Sequence, residues 1–157
     1  MKCYVTLPTD NIHVISQGIH NHLQAHSDVL TTTNYGWHFV DGKALLSSVP
    51  ELLEFFRQLN LIPRHAAVTV VTDNTHLPKH IDELPVVAKI NLPVINTQGW
   101  ANRWYQDGEL IAELLDMDQP IVFNSQIAHS VEKLTAIEMP RVVASFTFYN
   151  EPVDLLK

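Results

Sequence analysis

The sequence predicts a mainly β domain with flanking helices, an α+β chain in which an antiparallel sandwich or barrel is covered on one outer face by N-terminal helices. Three observations lead there. From Ala66 onward apolar residues alternate with period two in short runs, at 67–71, 86–92, 102–106, 110–114, 121–124 and 141–149, which is the pattern of half-buried strands. Turn signals separate these runs at Asp73-Asn74, Asn96-Thr97-Gln98-Gly99, Gln106-Asp107-Gly108 and Asp116-Met117-Asp118-Gln119-Pro120. Upstream, two stretches repeat their apolar residues at helical spacing instead, and such stripes bury most simply against the outside of a sheet.

Residues 1–10 read as a short lead-in strand closed by Pro8, and Thr9-Asp10 supplies the N-cap of a helix reaching about His26. Ile12, Ile15, Ile19 and Leu23 form its apolar stripe. His22 and His26 lie one turn apart on it, but without a third ligand they read as part of a solvated, histidine-rich face. The run 31–40 has strand composition interrupted by Asn34-Tyr35-Gly36, ends at the turn signal Asp41-Gly42, and is expected at a sheet edge. Ser48 with Glu51 forms a capping box for a helix over about 50–60, whose Leu52, Leu53, Phe55, Phe56 and Leu59 make a broad apolar face, with Pro63 as its terminator.

Among the later strands, Asp107-Gly108 between two alternating runs is a hairpin signal. The run from Arg141 is the most informative. If Arg141, Val143, Ser145 and Thr147 face the interior, then Val142, Ala144, Phe146 and Phe148 face outward, and two phenylalanines need the helices as cover. A partly polar inner face with an apolar outer face suits a ligand-holding barrel roofed by helices. Residues 151–157 read as a tail.

Composition bounds the rest. A chain of 157 residues with 46% hydrophobic content supports one domain over 1–157, with helical cover and edge strands in 1–65 and the β core in 66–150. A net charge of −7 and the lack of any basic run argue against nucleic acid as a partner. The single cysteine, Cys3, and an N-terminus without an apolar signal region point to a reducing cytoplasm, and no apolar stretch reaches the length of a membrane span.

The chemistry centres on His80-Ile81-Asp82. Side chains at i and i+2 of an extended segment share a face, so this imidazole and carboxylate can converge on one metal. His129 supplies a second imidazole, and two histidines with one carboxylate form the facial set of non-heme Fe(II) oxygenases. His76 is the rival for the first position, but Pro78 stands where its acid partner would be; Asp73 and His65 read as surface or loop residues. Arg141 opens a strand twelve positions after His129, and its guanidinium is suited to gripping a carboxylate through two parallel hydrogen bonds.

This order, H-x-D, a distant His and then Arg, resembles the Fe(II)/2-oxoglutarate-dependent oxygenases over roughly residues 49–150, and in particular their small bacterial and phage-type members. The run Lys89-Ile90-Asn91-Leu92-Pro93-Val94-Ile95-Asn96 is similar to the strand and turn that follow H-x-D there. The resemblance implies a double-stranded β-helix, a cupin-like jelly roll. It implies His80, Asp82 and His129 as iron ligands and Arg141 as anchor of the C5 carboxylate of 2-oxoglutarate. It also implies a reaction in which O₂ and 2-oxoglutarate are consumed to hydroxylate a C–H bond of an unknown substrate, a peptide side chain or small molecule; the short chain leaves few residues for a lid and favours an exposed substrate such as a peptide side chain, or a partner-completed site, over a deeply enclosed small molecule. Many members place a hydroxyl two residues after the arginine, where this chain has Val143; Ser145 and Thr147 share that face further along.

Further candidates for the cosubstrate site are Lys89 and Asn91, which share a face, Asn124, which either bonds the cosubstrate or caps a turn, and Tyr105. Lys89 either assists Arg141 or is an exposed edge lysine. Trp100, Arg103, Trp104 and Tyr105 lie near an expected substrate mouth, with Arg103 and Tyr105 on one face and Asn102 and Trp104 on the other. The rival function class is a cupin-like barrel that binds a metal or a small acidic ligand without turnover.

Overall fold

Two faces of one strand organise the molecule. In this computed structural model, which describes residues 1–31, 36–71, 77–135 and 140–157, the elements in order are β1 (Tyr4–Thr6), α1 (Ile12–His26), a 3-10 turn (Val29–Thr31), β2 (Gly36–Val40), α2 (Gly42–Ser48), α3 (Pro50–Gln58), β3 (Pro63–Val71), β4 (Leu77–His80), β5 (Ala88–Ile95), β6 (Trp100–Gln106), β7 (Glu109–Leu115), β8 (Ile121–Asn124), β9 (Ala128–Lys133), β10 (Arg141–Phe148) and a second 3-10 turn (Pro152–Leu156). The strands form two antiparallel sheets, ordered β1-β8-β5-β10-β3-β2 and β4-β9-β6-β7. From β3 onward the chain crosses from one sheet to the other at every step except the β6–β7 hairpin. That alternation is a double-stranded β-helix.

Strand β10 lies between β3 and β5, hydrogen-bonded to both. Its outward residues Val142, Ala144, Phe146 and Phe148 are buried under the helices, and the ring of Phe56 sits 4.9 Å from Phe146 and 5.1 Å from Phe148, edge-on to both. Such edge-to-face pairs add to the area term of aromatic burial. Leu52 and Phe55 join this core, as do Ile15, Ile19 and Leu23 of α1. A second helix–sheet tie is polar: Ser16 Oγ donates to the Pro93 carbonyl at 2.7 Å. The inner residues, Arg141 and Val143, face the space between the sheets. At the hairpin, Asp107 and Gly108 have φ of 51° and 82°, the conformation of a type I′ turn whose twist matches the flanking strands.

Several local expectations are corrected. Asp41-Gly42 is no turn but the start of a third helix: Asp41 Oδ1 accepts from the backbone N–H groups of Lys43 (3.0 Å) and Ala44 (3.2 Å), capping α2. Ser48 therefore ends α2 instead of capping α3, which starts after Val49 without a side-chain cap. Helix α3 stops at Gln58 because Asn60 takes φ of 56°, and Pro63 opens β3. Helix α1 starts after Asn11, one residue beyond the expected Thr9-Asp10 cap. His22 is buried, with Nδ1 2.9 Å from Ser48 Oγ, where a solvated face was expected. Strand β9 is too polar to show as an apolar run. The C-terminal residues are more than a tail: Pro152 and Leu156 are buried, and Lys2 N–H donates to the Leu156 carbonyl at 2.8 Å. The expected turn at Asp73-Asn74, His76, and the part of the run 31–40 at 32–35 lie outside the described residues. Among the described residues no helix is long and apolar enough to cross a membrane.

Replacing Phe56 with Ala is expected to cost about 3–5 kcal/mol in chemical denaturation, since a fully buried ring leaves a cavity. Asp41→Ala is expected to cost about 1 kcal/mol by the same measurement, through loss of the cap.

Candidate metal centre

The pairing of β4 with β9 places His80 directly opposite His129, and their ring centroids lie 4.4 Å apart. Each ring is oriented by its own backbone. His80 Nδ1 is 2.7 Å from the Pro78 carbonyl and His129 Nδ1 is 2.7 Å from the Ile127 carbonyl. A carbonyl only accepts, so in both neutral imidazoles the proton sits on Nδ1 and the lone pair on Nε2.

Asp82 lies two residues past the end of β4, on a connection latched to the β8–β9 turn. Its backbone N–H donates to the Ser125 carbonyl (3.0 Å), Gln126 Nε2 donates to the carbonyls of Asp82 (3.1 Å) and Val86 (2.9 Å), and Ser125 Oγ donates to the Val86 carbonyl (3.1 Å). Sequence reasoning missed Ser125 and Gln126; the signal available was only their place four and three residues before His129. The latch brings Asp82 Oδ1 to 3.3 Å from His80 Nε2 and 3.6 Å from His129 Nε2. One ligand atom from each of the three residues falls within 4.8 Å of the others.

Three lone-pair-bearing atoms therefore face one another with no proton assigned between them, and His80 Nε2 is buried without a hydrogen-bond partner. Such a cluster calls for a cation. The Asp82 carboxylate shifts the His80 pKa upward, outweighing the desolvation that opposes it. Burial alone would raise the Asp82 pKa, but the neighbouring His129, His80 and Lys89 together hold it well below the usual carboxylate range. The donor set fits Fe(II): two imidazoles and a carboxylate on one side, with the rest of the coordination sphere open.

The same cavity is lined by Arg141, Asn91, Asn102, Thr69, Trp104 and Val143. Arg141 is 2% exposed, and among the described residues no carboxylate pairs with it. Its contacts are a long hydrogen bond from Nη2 to Asn102 Oδ1 (3.4 Å) and the face of Trp100, 5.5 Å from the guanidinium carbon, while Nε has no partner. Burial pushes its pKa down to about 10, so the group stays charged at neutral pH. A buried cation left unpaired is costly, and an anionic ligand relieves that cost. Asn91 Oδ1 and Asn102 Nδ2 are likewise buried without partners. Asn102 was noted in the sequence only for its face.

The other expected residues fall elsewhere. Lys89 is neither an exposed edge lysine nor part of the Arg141 cavity: its ammonium pairs with Asp82 Oδ2 at 2.9 Å. Tyr105 is corrected to the outer face of β6, where its hydroxyl meets Ser130 Oγ (3.2 Å) and Lys79 lies over its ring. Arg103 shares that face, bonded to Glu113 and Glu132. Asn124 caps a turn, accepting from Gln126 N–H at 3.0 Å, and does not line the cavity. Trp100 and Trp104 are buried inside. A groove lined by Trp37, Phe39, Ala67, Val86, Ser145 and Thr147 also reaches Asp82 and Lys89.

No protein-family model matches the chain, and no curated protein matches it in sequence. Solved structures match it in shape. A Pseudomonas putida prolyl-4-hydroxylase is 13% identical, with a TM-score of 0.58 over 94% of this chain and 92% of that one. HygX from Streptomyces hygroscopicus, crystallised with nickel and 2-oxoglutarate bound, is 11% identical, with a TM-score of 0.64 over 92% of this chain and 81% of that one. A Trichoplax adhaerens prolyl hydroxylase in complex with a hypoxia inducible factor oxygen degradation domain peptide is 16% identical, with a TM-score of 0.55 over 99% of this chain and 86% of that one. The fold is thus the double-stranded β-helix of the 2-oxoglutarate–Fe(II) oxygenases.

Metal binding at His80, Asp82 and His129 should be displaced by protons, because His80 must be neutral to ligate and its pKa is raised. Calorimetric titration with Mn(II) is expected to give one site, abolished in Asp82→Ala. Its affinity should weaken as pH falls through the histidine range and level off above it.

Proposed function

We propose that this protein is an Fe(II)- and 2-oxoglutarate-dependent oxygenase that hydroxylates a substrate reached through the groove beside Asp82. The observation that carries this reading is a single cavity shared by two unlike demands: a converging imidazole, imidazole and carboxylate set that calls for a dication, and a buried unpaired guanidinium that calls for an anion. A dicarboxylate that chelates a metal at one end and meets an arginine at the other satisfies both.

Bound Fe(II) supplies the oxidative decarboxylation of 2-oxoglutarate by O₂ coupled to insertion of one oxygen atom into a C–H bond. The chain does the rest. His80 and His129 present Nε2 because Pro78 and Ile127 hold their Nδ1 protons. Arg141 and the Nδ2 donor of Asn102 receive the far carboxylate, and Asn102 stands in for the hydroxyl that Val143 cannot provide. Leu77, Val131, Ile121, Phe123 and Val143 line the same space with hydrocarbon, which excludes water and strengthens the charge–charge contact. The groove offers exposed aromatic surface, with Phe39 86% exposed, for a peptide side chain or a small molecule with an apolar face. A reducing cytoplasm, which preserves Fe(II) and the single thiol of Cys3, is the fitting compartment.

The test is an anaerobic titration of 2-oxoglutarate into the Fe(II) protein, followed through the visible charge-transfer band. Arg141→Leu is expected to keep metal affinity and lose roughly a hundredfold in cosubstrate affinity, the equivalent of about 3 kcal/mol for a charge-assisted bidentate contact. Arg141→Lys should recover only part, because a point charge does not reproduce the fork. Equal affinities in all three proteins would remove Arg141 as the anchor. Metal binding without any 2-oxoglutarate binding by the parent would favour a non-catalytic cupin-like barrel.

A further inference from the structure

Lys89 lies on the inner face of β5, paired across to Phe123 of β8, and its side chain is 17% exposed. A lysine this enclosed, with its ammonium spent on an internal partner, has a task inside the barrel. That partner is one particular atom. The Asp82 carboxylate, 8% exposed, turns Oδ1 toward the two imidazole Nε2 atoms, at 3.3 and 3.6 Å, and Oδ2 toward Lys89 Nζ, at 2.9 Å. The ammonium itself is confined from the other side by the ring of Trp37, whose centroid lies 5.2 Å from Nζ.

We propose that Lys89 is a positioning residue that reserves Oδ2 of Asp82, so that the aspartate meets the metal through one oxygen only. The inference rests on the metal-site reading above and extends it. A carboxylate binds a cation through either one or both oxygens, and nothing in its own chemistry prevents the second mode. In an octahedral site, two imidazoles and one carboxylate oxygen leave three positions, enough for a two-atom chelate from the cosubstrate and one for O₂. A second bond from Asp82 removes one of them. Lys89 prevents this by position and by charge: its ammonium lies 2.9 Å from Oδ2, and the Trp37 ring, 5.2 Å from Nζ, limits retreat of its head. Because the pair is made between two residues of the chain itself, it orients the carboxylate without help from a ligand.

The role differs from two simpler ones. If Lys89 served only to neutralise a buried carboxylate, its removal would strengthen metal binding and leave the mode of ligation alone. If it served to hold the cosubstrate, its removal would change nothing until 2-oxoglutarate was added. The experiment therefore uses Mn(II) alone, on the full chain, without oxygen or cosubstrate. Water-proton relaxation counts the exchangeable waters on the bound ion, and crystal structures of the Mn(II)-loaded proteins give the Asp82 geometry directly.

The parent and Lys89→Arg, which retains a cationic donor, are expected to show single-oxygen ligation. In Lys89→Met, Asp82 Oδ2 is expected at bonding distance, and the relaxation enhancement should fall by about a third as three waters become two. Lys89→Gln replaces the methionine variant in the same comparison if that protein does not fold. Single-oxygen ligation and unchanged relaxation in the variant lacking the ammonium would overturn the proposal while leaving the oxygenase reading intact. A parent that takes up no Mn(II) at His80, Asp82 and His129 would overturn both.

Discussion

The structure depends on the position of β10 at the centre of the six-stranded sheet, with each of its two faces closed by a different partner. On the outside, Phe146 and Phe148 meet Phe56 and close the helix layer; on the inside, Arg141 and Val143 close the cavity. Each buried aromatic contributes on the order of 2–3 kcal/mol, and this hydrophobic stabilisation on one face offsets the cost of holding an unpaired guanidinium on the other. A slip of one residue in β10 would exchange the two sets and lose both. The register is held on both sides, by Ser145 opposite Ala67 of β3 and Asn91 of β5.

The second constraint is electrostatic. One carboxylate, Asp82, collects His80, His129 and Lys89, while the other inner cation, Arg141, is left with an amide oxygen and an indole face. The barrel is therefore polarised: the Lys89 ammonium balances Asp82, whereas among the described residues no carboxylate balances Arg141. On the proposed reading, a dication at the histidines and an anion at the arginine would complete both ends of the cavity. Asn91 and Asn102, each with a buried polar atom that has no partner among the described residues, line the same cavity.

Geometry near Asp82 is set by loops as much as by strands. The Gln126 amide bridges the carbonyls of Asp82 and Val86, tying the connection after β4 to the turn before β9. The segment that carries the acid and the segment that carries the distal histidine therefore move as one, which is what a site demanding sub-ångström placement requires.

The sequence by itself determined what depends on local order and pattern. Period-two runs, the Asp107-Gly108 turn, the apolar stripe of α1 and the two-faced character of β10 were legible because each is a relation between near neighbours in the chain. His80, Asp82, His129 and Arg141 were singled out as a set by their order along the chain and its resemblance to a known family, and the fold brings the first three together and lines one cavity with His80, His129 and Arg141. Whatever depends on long-range partners was left to the tertiary structure. Asp41 reads as a turn residue until the backbone groups it caps are in place, and β9 reads as polar because its neighbours, not its own residues, bury it. The partners of Lys89 and Asn102 carry no signal in sequence, since an ammonium finds Asp82 and an amide finds Arg141 only after the two sheets close over them. Tyr105 shares its strand with Asn102, and only the pairing of β6 with β9 decided which of the two lines the cavity and which faces away.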